Sequence, residues 1–352
     1  MLKKIILTIA LSLVFTTTYA NDKTLFTTVY TTINNNHITP VDIESLTING
    51  LKGLAEIDKN FTIGDGKDMV YLYYKRKQVA LWHKPKDKND INTWAEIANK
   101  AVEKAQKVSS KTKNYDGNVA EKVLFNAVKS LDNHSQYHYS DEIEDEVIET
   151  AIDDSSDGEF LTIKIKSFEN NTANFIKKSI ARHNRVNGII LDLRGNKGGQ
   201  LNAAIEVAKL FIDDGIITIV KSKEGIEDKY YVAKKQKAYN YPLAVLVDSA
   251  TASSAEVLTI ALKEQAQAKI IGTPTYGKST IQDVYQFENK ARLALTTGQF
   301  YSPSGKKMDK NGITPDFCIM NDRHLKNDCI KQKRENREFD IEFAKSILTP
   351  QI

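Results

Sequence analysis

The chain has 352 residues, 41% of them apolar and 27% charged, with few prolines and glycines. That profile excludes a disordered or fibrous protein and leaves room for two or three domains. The formal charge is only +4, and setting aside Lys3 and Lys4 at the extreme N-terminus leaves 47 basic against 45 acidic residues. So even a mixture carries no footprint for nucleic acid or for an anionic membrane.

Residues 1–20, MLKKIILTIALSLVFTTTYA, place the two lysines before an apolar run, Ile5 to Phe15, that is too short to span a bilayer. Thr18 and Ala20 stand at the −3 and −1 positions of a cleavage site before Asn21. The segment reads as a secretory signal peptide, with an uncleaved anchor as the alternative. No later stretch is long and apolar enough to cross a membrane. The mature chain is therefore expected to be exported, periplasmic or secreted, without an integral membrane span.

Residues 21–140 read as a mainly helical module. Helical spacing over 24–60 breaks at Pro40 and restarts at Thr39 or Asp42. The alternating runs MVYLYY and QVALWH predict a hairpin. INTWAEIANKAVEKAQKV and NVAEKVLFNAVKSLD predict two amphipathic helices. An acidic stretch, residues 141–157, follows as a linker, or as a solvated helix.

From residue 158 to 322 strands alternate with helices. FLTIKIKSF has the period of a strand, and NNTANFIKKSIARH that of a helix opening at Thr172. GIILDLRG and PLAVLVDS are continuous apolar runs of the fully buried kind. QLNAAIEVAKLFID and SSAEVLTIALKEQ are helices, GIITIV and AKIIG strands, and IQDVYQF with ARLALTTGQFY a hairpin joined by ENK. The pattern predicts an α/β layered core. Residues 323–352 are left as a C-terminal tail. Cys318 and Cys329 lie close together and, in an oxidising compartment, are expected to close one short disulfide loop, with two free thiols as the alternative. Without further ligands nearby they are poor for zinc.

Residues 272–279, GTPTYGKS, match the P-loop spacing G-x-x-x-x-G-K-[ST]. A P-loop needs a helix directly after the lysine, aiming its amides at the phosphates. Here STIQDVYQF, rich in β-branched and aromatic residues, follows instead. Both candidate Walker B strands precede the loop, and export removes the chain from the ATP pool. The match is read as coincidence, with a P-loop nucleotide-binding protein kept as an alternative.

Upstream, VLVDSATASSAEVLTIAL leads from a buried strand into a helix beginning at Ser253. A serine there has its hydroxyl beside free helix amides, which favour developing negative charge. Ser253 and Glu256 also fit the capping box S-x-x-E, a purely structural motif. No histidine and no G-x-S-x-G elbow lies in this segment. A lysine can activate a serine if burial leaves its amine neutral. Lys278, among Tyr276, Thr280 and Ile281 at the mouth of a buried strand, suits that part.

In order and spacing, SATASSAE, GTPTYGKSTIQ and LDLRGNKGG resemble the motifs of the C-terminal processing peptidases, or tail-specific proteases, of the S41 type. LTTGQFYSPSGKKMDKNGITPDF and SLDNHSQY resemble further segments of that family. The resemblance implies a layered core of the crotonase/ClpP-like type and a serine endopeptidase without cofactor or metal, acting on protein or peptide substrates. It assigns Ser253 as nucleophile, Lys278 as general base, Gln282 as the residue orienting the lysine, and the amide of Ser254 with that of Gly198 or Gly199 as oxyanion donors. A catalytically silent binding or scaffolding protein on the same fold is the alternative. Ser279 and Thr251 depart from the family pattern, which has glycine and serine there. Only about twenty residues separate Tyr137 from Phe160, so the PDZ domain common in the family is expected to be missing. The N-terminal module is expected to support the core or gate access, homodimer contacts being one way of doing so. On a straight strand Lys278 and Gln282 would sit roughly 13 Å apart, so a turn or bulge is expected between Gly277 and Gln282.

Overall fold

The five apolar residues Leu243–Val247 need cover on both faces, and they form the middle strand of a seven-stranded sheet. The computed structural model describes residues 22–139, 152–235, 238–325, 329–334 and 337–349; the expected leader and residues 141–151 of the acidic stretch lie outside the described residues. Across the sheet the strands run Arg323–Leu325, Phe317–Met320, Lys269–Gly272, Leu243–Val247, Gly188–Asp192, Phe160–Ile165 and Ile152–Ser156. The inner five are parallel and the two edges antiparallel. The expected α/β layering is present, and the end of the acidic stretch is the edge strand Ile152–Ser156.

Alternate residues of the central strands serve different layers. Val245 and Val247 face the helices Thr172–Arg182, Leu201–Ala208 and Ser254–Gln265, together with Ile217 and Phe300 of a second sheet. Ala244 and Leu246 face the opposite way, against Ala344 and Leu348 of the helix Glu338–Leu348. The expected tail is thus, over this helix, the second covering layer of the sheet. Its partner, the far side of a buried sheet, is not legible in the sequence around it.

The N-terminal module keeps its expected helices, Asp22–Asn36, Ile43–Lys52, Ile91–Val108 and Val119–Lys129. Asp42, Asp90 and Asn118 cap three of them through side-chain oxygens. The hairpin Met69–Tyr74 with Lys77–His83 gains a third strand, Phe61–Asp65, just past the helical stretch expected over 24–60. The module is not separate from the core. The strand Arg292–Tyr301 gives Leu293 and Leu295 to the module's hydrophobic cluster and pairs there with Gln136–His138. Its far half, Gly298–Tyr301, pairs with Gly215–Ser222 of the core. One strand therefore belongs to both.

After Gly272–Ser279 the chain continues as the strand Thr280–Gln286, so the helix that a P-loop needs directly after its lysine is replaced by a strand. That geometry overturns the nucleotide-binding alternative. No helix among the described residues is long and apolar enough to cross a membrane.

Cys318 and Cys329 form the expected disulfide, with Cα atoms 5.8 Å apart. It ties an outer strand to the segment whose Gln332 carbonyl accepts from Ser249 N and Thr273 Oγ1. Closing a loop this short contributes about 3 kcal/mol by restricting the unfolded chain. Reduction is therefore expected to lower the urea midpoint, followed by circular dichroism, with the secondary structure unchanged in buffer.

Candidate active site

Three adjacent parallel strands, Gly188–Asp192, Leu243–Val247 and Lys269–Gly272, end on one side of the sheet. Their following loops carry Gly198 and Gly199, Ser253, and Lys278. Loops at the carboxyl ends of parallel strands are where α/β sheets place their sites.

The first loop is held from below. Arg194, almost fully buried, donates to both oxygens of Asp192, to Asp340 Oδ2 and to the Arg337 carbonyl. Burial would raise the Asp192 carboxyl, but the Arg194 guanidinium outweighs it and holds the carboxyl below its ordinary range. Asn196 then bridges onward, donating to the Ile165 carbonyl and accepting from Gly198 N at 2.7 Å. Gly198 has φ +107, and a Cβ there would stand 3.0 Å from Ser253 Cβ. Only glycine lets this loop lie against the serine.

Ser253 has φ 58 and ψ −123, a strained conformation for a residue with a side chain. It is the N-cap of the helix Ser254–Gln265. The sharp strand-to-helix turn is that of a nucleophile elbow, reached here without flanking glycines. Thr251, one of the departures noted above, fits: its hydroxyl donates to the Leu193 carbonyl and accepts from Asp248 N. Ser279, the other, accepts from Gln299 Nε2.

Glu256 does more than cap. Its fully buried carboxylate accepts from Ser253 N at 3.0 Å and from Lys278 N at 2.8 Å on the same oxygen, Oε2. Oε1 accepts from Thr275 Oγ1 and from Gly277 N. Burial pushes its carboxyl up, partly offset by these donors. The capping box was legible in the sequence. That its carboxylate also grips the lysine loop was not, because the link spans 22 residues.

Lys278 is half-buried, and desolvation pushes its amine below the ordinary lysine value. Its Nζ takes no hydrogen bond or ion pair among the described residues. A register shift between Ile281 and Gln282 bends the strand as the spacing required. Gln282 Nε2 donates to Thr280 Oγ1 at 2.9 Å and to Thr296 Oγ1 at 3.3 Å.

Ser253, Ser254, Gly199, Lys278 and Gln282 all line one cavity of about 650 Å³. Gly198 lies behind Ser253, and its amide is already engaged by Asn196. Of the two glycines, Gly199 is the one whose N–H takes no partner among the described residues. Ser254 N, in the first turn of its helix, is likewise unengaged there, while Ser254 Oγ donates to the Gly199 carbonyl at 3.2 Å. The cavity thus joins a hydroxyl, a half-buried amine and two amides, the parts that acyl transfer uses.

Residues 159–319 match the family model for Peptidase family S41. Carboxyl-terminal-processing peptidase 2, chloroplastic, of Arabidopsis thaliana is 39% identical over 160 residues, 45% of this chain and 31% of that protein. Carboxy-terminal processing protease CtpA of Bacillus subtilis is 34% identical over 171 residues, 48% of this chain and 36% of its own. The chain spans about a third of the length of these curated relatives. Among solved structures, a lipoprotein from Streptococcus agalactiae aligns over 82% of this chain and 95% of its own, with TM-score 0.50 and 20% identity. That likeness concerns the fold alone.

Proposed function

We propose, from the match of residues 159–319 to the model for Peptidase family S41, that this chain is an exported serine endopeptidase with a Ser253–Lys278 catalytic centre. Ser253 Oγ attacks the scissile carbonyl carbon while the neutral Lys278 amine takes its proton. The amides of Gly199 and Ser254 hold the oxyanion. Lys278 returns the proton to the leaving amine as the C–N bond breaks, and water releases the acyl-enzyme by the same steps. Gln282 orients the lysine. Export is supported by the leader expected over residues 1–20 and by the Cys318–Cys329 disulfide.

The observation that carries this reading is the convergence of Ser253 N and Lys278 N on one oxygen of Glu256, with both side chains on one cavity. The strained Ser253 backbone favours it over a silent scaffold, because such strain persists only where the surroundings enforce it. Both curated relatives carry carboxyl-terminal processing in their names, and trimming near substrate carboxyl ends is the corresponding proposal for this chain.

The test is digestion of β-casein, an unstructured protein, by the mature chain, with fragment termini mapped by mass spectrometry. Cleavage is expected for wild type and its loss for Ser253→Ala. Equal degradation by both would remove Ser253 as nucleophile. Termini clustered away from substrate carboxyl ends would remove the trimming proposal alone.

A further inference from the structure

The segment SLDNHSQY has no part in the chemistry above, yet it lies against the site. Asp132 is an acceptor with every position filled. Its Oδ1 takes His134 N, Ser135 N and Thr296 Oγ1, and its Oδ2 takes Ser135 Oγ and His37 Nε2. Burial alone would raise this carboxyl; the bonds from His37, Ser135 and the His134 amide outweigh it and hold the group ionised. An ionised carboxylate only accepts, so each hydroxyl facing it must donate.

That constraint passes inward. Thr296 is buried and has one hydroxyl proton, held within the Asp132–Ser135 pair: Asp132 Oδ1 accepts it at 3.2 Å, and Ser135 Oγ stands 3.2 Å from Thr296 Oγ1. Its Oγ1 can then only accept from the Gln282 amide, 3.3 Å away. Gln282 Nε2 spends its second proton on Thr280 Oγ1. With both Nε2 protons engaged, the Gln282 oxygen takes no hydrogen bond among the described residues, and Gln282 and Lys278 line the same cavity. Were Thr296 free to donate outward, the amide could reverse and set its NH2 against the lysine, where it would repel the ammonium and occupy the lone pair with which the neutral amine takes the Ser253 proton.

We propose that Thr296 and Asp132 are positioning residues: by fixing the direction of the Gln282 amide they present its oxygen, not its nitrogen, to Lys278. The inference rests on the Ser–Lys reading. It also gives the N-terminal module a task, since Asp132 and His37 belong to that module and Thr296 to the shared strand Arg292–Tyr301. The Ile38 amide, donating to the Thr296 carbonyl, fixes the same strand.

The experiment compares four forms of the full mature chain on β-casein, with Ser253→Ala as blank and melting temperature measured throughout. Thr296→Val, which keeps shape and loses the hydroxyl, is expected to lower kcat about 10-fold or more with KM nearly unchanged. Its acid limb should also move to lower pH, because an acceptor that favoured the lysine ammonium is lost. Thr296→Ser restores the hydroxyl and should stay within about three-fold of wild type. Asp132→Ala, which removes the acceptor of the Thr296 proton, should lower kcat and move the acid limb in the same direction as Thr296→Val, and a folded Asp132→Ala with the wild-type profile would remove Asp132 from the role. If Thr296→Val folds poorly, Thr296→Ala is judged by the same criteria. Wild-type kcat without the hydroxyl, an equal loss in Thr296→Ser, or a loss with the acid limb unmoved would each overturn the positioning role. Absence of any Ser253-dependent cleavage in wild type would instead overturn the reading beneath it.

Discussion

Replacing Lys278 with arginine is expected to abolish cleavage as fully as replacing it with alanine, although arginine keeps the length and the charge. The base must be able to lose its proton. Desolvation pushes the Lys278 amine down from its ordinary value, and no carboxylate pairs with it among the described residues to push it back. A guanidinium stays protonated at any working pH and cannot accept the Ser253 proton. Loss of a general base costs about 10²–10⁴-fold, and more where base and nucleophile act as a unit. The pH dependence carries the sign. The amine is neutral above its pKa, so kcat/KM falls as pH drops through that value, and the limb lies below the pH at which an ordinary lysine titrates. A limb at the ordinary lysine position, or activity retained in Lys278→Arg, would place the base elsewhere.

The parts of this site that the sequence makes legible are those fixed by neighbouring residues. Ser253 at a helix start, the glycine pair after LDLRGNK and the bend before Gln282 follow from local pattern and steric need. The buried parallel strands were readable because runs such as LAVLV tolerate no water on either face. What escaped depends on contacts between distant segments. The helix Glu338–Leu348 looked like a tail because nothing near it in sequence announces the sheet face it covers. The strand Arg292–Tyr301 reads as half of a hairpin, and only the fold reveals that it serves two cores. Gly198 and Gly199 were equivalent in the sequence; the Asn196 side chain, by taking the first amide, separates them. Thr296 lay within LTTGQFY, one of the segments that resemble the family, but nothing there pointed to the site, since a threonine inside a strand is an ordinary residue.

Glu256→Gln is expected to cost far more rate than its place in a capping box would suggest. Loss of an ordinary N-cap side chain costs about 1 kcal/mol and leaves a distant reaction untouched. Here both carboxylate oxygens are filled by donors, and Oε2 alone sets the spacing between the amides of Ser253 and Lys278. An amide of the same shape puts its NH2 either against the amides of Ser253 and Lys278 or against the Gly277 amide and the Thr275 hydroxyl, so at least one buried backbone donor loses its acceptor whichever way it turns. Each such loss costs about 1–3 kcal/mol of stability. The rate suffers separately, because in either orientation the NH2 meets an amide of the lysine loop, Lys278 N or Gly277 N, and pushes that loop away; a displacement of about 1 Å between reacting groups costs on the order of 10²-fold. The expected result is a folded protein with a lower melting temperature and kcat reduced about 100-fold, while KM stays near wild type because the cavity walls are unchanged. A Glu256→Gln enzyme that melts earlier yet turns over at the wild-type rate would reduce this carboxylate to a cap, and the distance from base to nucleophile would then have to be set by the sheet alone.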